Sequence, residues 1–213
     1  TVLAQVHFVV HTDPARRLEP DTLKIQDRLN NAVRTWDDRM VEAVLDERRE
    51  RADGGVAVGI VGEESATEQG QRFAMVFPEG YKEDFTAEEA LADLRSLDSL
   101  TDEGDLALSF YQPADAGPDE RRFKLYLRGE GVTLSKVLPV LQAMGVEVVD
   151  ERPYELHRED GGACWIYDFG LRVDQKMLDE SDEHAVEELR ARFQDAFEAA
   201  WRGDAEVDGL NGL

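Results

Sequence analysis

The residues best placed to do chemistry lie in LYLRGEGVTLSKVL, residues 125–138. There a strand-like run passes through Gly129-Glu130-Gly131 into the start of a helix. A glycine pair at a strand-to-helix turn lets backbone N–H groups approach a pyrophosphate. About twenty residues on, Val148-Val149-Asp150 ends a second strand pattern, where dinucleotide-binding domains place an acid for the ribose. Two features count against that chemistry. The third glycine position, where the helix must pack closely on the strand, is Leu134, and Pro139 interrupts the helix, so that it starts late or kinks there.

Other groupings are weaker. Asp168 in WIYDF is flanked by aromatic residues; it is either a buried, hydrogen-bonded acid or ligand contact, or a side chain on the solvent face. Cys164, the single cysteine, rules out an internal disulfide, makes a zinc site a poor expectation and reads as a buried core residue. His7 and His11 share one face of a strand about 13 Å apart, too far to bridge one metal ion. His157 and His184 stand beside acids in expected loops and read as solvated. No Gly-x-Ser-x-Gly, His-Glu-x-x-His or EF-hand pattern occurs.

The elements that must carry these residues follow from periodicity. Residues 2–12 alternate as a strand, and DPARRLEPD turns the chain. Ile25, Leu29, Val33, Trp36, Met40 and Val44 then form one apolar stripe, predicting a helix from Pro20-Asp21 to about Glu50. At about 45 Å such a helix is long enough to project or to span subdomains. The glycine-rich residues 53–62 are a connector, and a helix over 64–77 stops at Pro78. Thr86-Ala87-Glu88-Glu89 is a capping box opening a helix with Ala90, Leu91, Leu94 and Leu97 on one side.

From there the period becomes two. Leu106, Leu108 and Phe110 alternate, ADAGPDE turns, and Phe123, Leu125 and Leu127 alternate again, predicting a hairpin. After the glycine turn come a helix ended by Gly145, a strand over 146–156, the turn REDGGA, a strand over 163–173 and a helix from Asp182 to Trp201. Pro153 places the first of these two strands at an edge or a bulge. Strand, helix, strand, strand, helix is a ferredoxin-like order: an antiparallel sheet with helices on one face, an α+β fold. The fourth strand of such a unit does not follow Trp201, and strand 105–112 is expected to fill that edge. The domains are then 1–100, an N-terminal strand plus a mostly helical segment, and 101–213, the α+β domain.

Charge narrows the partners. Lys+Arg 24 against Asp+Glu 47 gives a net charge of −23, which repels phosphate backbones and anionic lipid, so neither nucleic acid nor a membrane surface is expected. The acids are densest from Asp179 to Asp208, at helical spacing: a solvated face, or else a docking surface for a basic partner. No eighteen-residue apolar run and no signal peptide occur, so a cytoplasmic protein is expected. The chain opens inside a strand pattern without Met and ends in DGLNGL, and both ends read as cut from something longer.

Several unusual strings in order carry a resemblance over nearly the whole chain. VHFVVHTDP precedes a helix with TWDDR. FPEGYKEDFTAEEALADL, LSKVLPVLQAMGVEVVDERPYEL, WIYDFGL and FQDAFEAAWRGDAEVDGLN follow. Together they resemble the N-terminal, ACT-like regulatory region of the large bacterial NAD-specific glutamate dehydrogenases. The resemblance implies a parent enzyme that oxidatively deaminates L-glutamate with NAD, with catalytic and NAD-binding regions downstream. It places none of the catalytic residues here, so this segment is expected to be inactive and to bind no cofactor or metal. Its implied partners are the rest of the dehydrogenase chain, the other subunits of an oligomer and an amino-acid effector. By position the effector turn is Arg128-Gly129-Glu130-Gly131-Val132-Thr133. The missing last strand leaves allosteric effector binding and a scaffold or oligomer-contact role both open. Two other classes stand beside this reading: a small enzyme binding a nucleotide at the Gly129-Glu130-Gly131 turn, and an acidic protein-interaction module docking a partner on its long helix.

Overall fold

The alternating runs on either side of ADAGPDE form a hairpin. In the computed structural model, β1 (Leu106–Tyr111) pairs antiparallel with β2 (Glu120–Arg128). Leu106, Leu108 and Phe110 stand opposite Leu127, Leu125 and Phe123. After the glycine turn, α6 (Leu134–Ala143) leads to β3 (Glu147–His157), which doubles back as β4 (Ala163–Arg172). The sheet order is β1-β2-β4-β3, and every neighbouring pair is antiparallel. β1 therefore fills the edge that a ferredoxin-like unit gives to its last strand. β3 is the opposite edge, where Pro153 removes a donor at little cost, and its pairing is irregular between Val148 and Asp150. α6 runs through Pro139 from Leu134, without the late start that the proline suggested.

The structure describes residues 22–51, 60–114, 116–158, 162–173 and 183–204. The strand expected over 2–12 with its two histidines, the turn after it, most of the 53–62 connector and the centre of the 158–163 turn lie outside them. Two compact units are present, Thr1–Thr35 and Trp36–Leu213. The described part of the first is α1 (Thr22–Val33), which exposes Leu23, Ile25, Leu29 and Val33. The single helix expected over 20–50 is thus two, because α2 (Trp36–Arg51) begins afresh after Arg34-Thr35. Thr35 followed by Asp37 and Asp38 is helix-start chemistry: a hydroxyl before the first turn, and two carboxylates facing the positive end of the helix.

In the second unit, α6 and α7 (Glu183–Arg202) cover one face of the sheet. Phe123, Leu125, Phe169 and Leu171 meet Val137 and Leu141 of α6 and Phe193 and Phe197 of α7, all buried. Phe123 lies 4.8 Å from Phe197 and 5.3 Å from Phe193, ring centre to centre. The ferredoxin-like order places its own two helices on this one face, and the other face is covered by helices of the preceding segment. There Tyr126, Tyr154, Leu156, Cys164 and Ile166 pack under α2, α3 (Ile60–Val76), α4 (Glu79–Asp84) and α5 (Ala87–Asp98). The signal for two-sided burial was in β4: ACWIYDFGLR has no polar face to turn to water.

Local chemistry starts and aims the covering helices. Thr86 accepts from the Glu89 backbone N–H at 3.2 Å, and the Glu89 carboxylate accepts from the Thr86 N–H at 2.8 Å, closing the expected capping box. Trp36 donates its indole N–H to the Phe85 carbonyl at 2.8 Å. On α5, Asp93 falls in the same stripe as Ala90, Leu94 and Leu97 and is 4% exposed. Its carboxylate accepts from Lys124 Nζ at 2.6 Å, from Tyr81 Oη at 2.6 Å and from Tyr126 Oη at 2.8 Å. Lys124 Nζ also stands 3.9 Å above the Phe85 ring. Burial, and then the Asp93 charge, push both tyrosine hydroxyls far above their ordinary pKa, so they remain donors.

Asp93→Ala strands a buried ammonium and is expected to cost about 3–5 kcal/mol in urea unfolding, whereas Asp93→Leu with Lys124→Met, Tyr81→Phe and Tyr126→Phe, which also removes the two hydroxyls left without their acceptor, recovers most of that loss. Thr86→Ala is expected to cost about 1 kcal/mol by the same measurement.

Candidate functional site

The six residues of the turn hold distinct places. Arg128 ends β2 opposite Cys164, and its guanidinium donates to the Leu100 carbonyl at 3.2 Å. Gly129 has φ +94°, a conformation that a side chain would strain, and its N–H donates to Ala163 O at 2.9 Å. Gly131 is needed for a different reason. A Cβ there would stand 2.8 Å from the Trp165 ring and 2.8 Å from Tyr167 Oη. Val132 N–H donates to that same hydroxyl at 2.8 Å. Thr133 precedes α6 with extended backbone. Its hydroxyl meets Ser135 Oγ at 2.9 Å and makes no cap bond to the helix.

Arg128, Glu130, Gly131, Val132 and Thr133 line an open cleft of about 520 Å3, and Gly129 supports it from the backbone. The opposite wall comes from residues that sequence reasoning did not assign to the site: Glu103, Lys136 and Trp201. Lys136 Nζ lies 4.1 Å over the Trp201 ring. The Glu103 segment is pinned by Asp105, whose carboxylate accepts from the N–H groups of Thr101 and Asp102 at 3.0 and 2.9 Å. Those backbone bonds hold the Asp105 carboxyl below its ordinary range. The cleft therefore offers two carboxylates and two cations on a largely polar wall, which suits a small zwitterion. Trp201 was legible only as one more member of the α7 stripe; nothing local to its sequence says that it faces α6.

The dinucleotide chemistry does not assemble. Asp150, the candidate ribose ligand, is engaged by Arg122 at 2.9 Å and lies over Gly170, where a Cβ would come within 2.5 Å of its carboxylate. β2 and β3, the two strands that the fingerprint would need side by side, are separated by antiparallel β4. Gly131 is spent on the rings of β4, so the turn has no room for a pyrophosphate on that side.

Asp168 is the buried acid of the two alternatives the sequence allowed. It is 0% exposed, with Arg122 Nε at 2.7 Å from Oδ2 and Tyr111 Oη at 3.5 Å from Oδ1. Burial raises its pKa, with Arg122 opposing. It faces the covering helices beside Lys124 and not the turn cleft. Cys164 is buried, as its setting indicated. His157 is exposed, 3.8 Å from Glu155. Among the described residues no group of three or more His, Cys, Asp or Glu could hold a metal ion, and no helix is long and apolar enough to cross a membrane.

Comparison with known proteins places the chain. Residues 105–186 match the family model described as glutamate dehydrogenase, ACT3 domain. Residues 58–100 match glutamate dehydrogenase, helical motif 2, and residues 1–37 match glutamate dehydrogenase, ACT2 domain. The gap between the first two matches falls between the end of α5 and the start of β1. The NAD-specific glutamate dehydrogenases of Pseudomonas aeruginosa and Halomonas elongata are 33% and 32% identical to it over 213 residues, the whole chain. That of Mycobacterium tuberculosis is 32% identical over 195 residues, 92% of the chain. The chain spans 12%, 12% and 11% of the length of these relatives.

Gly131→Ala is expected to cost about 1–3 kcal/mol in thermal or urea unfolding, because rings on a sheet strand cannot retreat far. The raised Asp168 pKa carries a sign. The unfolded carboxyl ionises first as pH rises, so Asp168 lowers stability between its ordinary value, about 4, and its folded one, and the loss persists above that window. Stability measured from pH 3 to 7 is therefore expected to fall less steeply in Asp168→Asn than in the parent sequence.

Proposed function

The chain belongs to the NAD-specific glutamate dehydrogenase family, and we propose that it acts there as a regulatory and architectural ACT-type segment that performs no catalysis itself. The parent reaction in this reading is L-glutamate, NAD and water to 2-oxoglutarate, ammonium and NADH, with NAD bound by other parts of a cytoplasmic, oligomeric enzyme. Its partners are the remainder of that polypeptide and the other subunits. Residues 101–213 act as the ACT-like domain, and the helices between Trp36 and Asp98 brace the sheet from behind.

One observation carries the regulatory half of the proposal. The turn Arg128-Gly129-Glu130-Gly131-Val132-Thr133 opens on a cleft whose charged groups come in both signs, with the uncapped start of α6 beside it. An α-amino acid would set its carboxylate against Lys136 and the N–H groups of α6, and its ammonium against Glu130 and Glu103. Lys136 would then leave the Trp201 ring, linking occupancy to α7.

Titrating the chain with a panel of amino acids and with NAD, by calorimetry and tryptophan fluorescence, tests this. At least one amino acid is expected to bind saturably, with at least about tenfold weaker binding in Lys136→Ala, a loss of about 1.4 kcal/mol. NAD is expected not to bind. Tight NAD binding would return the glycine turn to nucleotide chemistry, and silence towards every amino acid would leave only the architectural role.

A further inference from the structure

We draw no further inference here: the strongest candidate, the apolar stripe of Leu23, Ile25, Leu29 and Val33 exposed along α1, carries nothing because nothing in the structure shows what covers it.

Discussion

The buried pair of Asp93 and Lys124 holds the sheet in register with the helices over its second face. Lys124 projects from the middle of β2 into a space that the covering helices close to water, and a lysine there is tolerable only with its charge matched. Asp93 matches it from α5, and two tyrosine hydroxyls donate to the same carboxylate. Against a hydrophobic replacement such a pair can contribute little net stability, yet either partner left alone is strongly destabilising. Its effect is therefore on position. α5 can slide along the sheet only by breaking contacts of 2.6 Å, and α4 moves with it through Tyr81.

The pair is the centre of a charged seam. Arg122 joins Asp150 to Asp168, while Arg152 and Tyr154 both reach Asp84 at the end of α4. Every one of these contacts joins sheet residues to one another or to the helices above them. The opposite face is built on another principle, with Phe110, Phe123, Phe193 and Phe197 packed ring on ring and no ion pair among them. One sheet thus has a directional polar face and a non-directional apolar one. The polar face fixes where the helices sit; the apolar face supplies the bulk of the burial.

That division sets the surroundings of the turn cleft. The turn cleft lies where β2 passes into α6, on the aromatic side, and it is walled by α7 through Trp201. α6 and α7, which flank it, are held by close packing against the sheet. α4 and α5, on the other face, are held by charge pairs with definite partners. The strands of the one sheet lie between these two sets of helices and cannot deform independently.

Alternation in Leu106–Phe110 and Phe123–Leu127, the turn chemistry between them and the doubling back after Asp150 were enough to read the antiparallel sheet. The edge position of β1 followed from counting strands. The Thr86 capping box and the Gly145 stop were equally local. These features depend on residues within a few positions of each other, and such interactions are written in the order of the chain. The covering of the second face, the Asp93–Lys124 pair and the meeting of Lys136 with Trp201 are of another kind. They join residues 31 and 65 positions apart, or depend on which of two apolar faces finds a partner. Asp93 was visible as an acid inside an apolar stripe, but whether it faced water or a buried cation depended on what α5 packs against. The sequence by itself determined the strands, their pairing and the turn that any site must use; only the tertiary structure decided which charges are buried together, because burial is a property of neighbours that the chain brings in from far away.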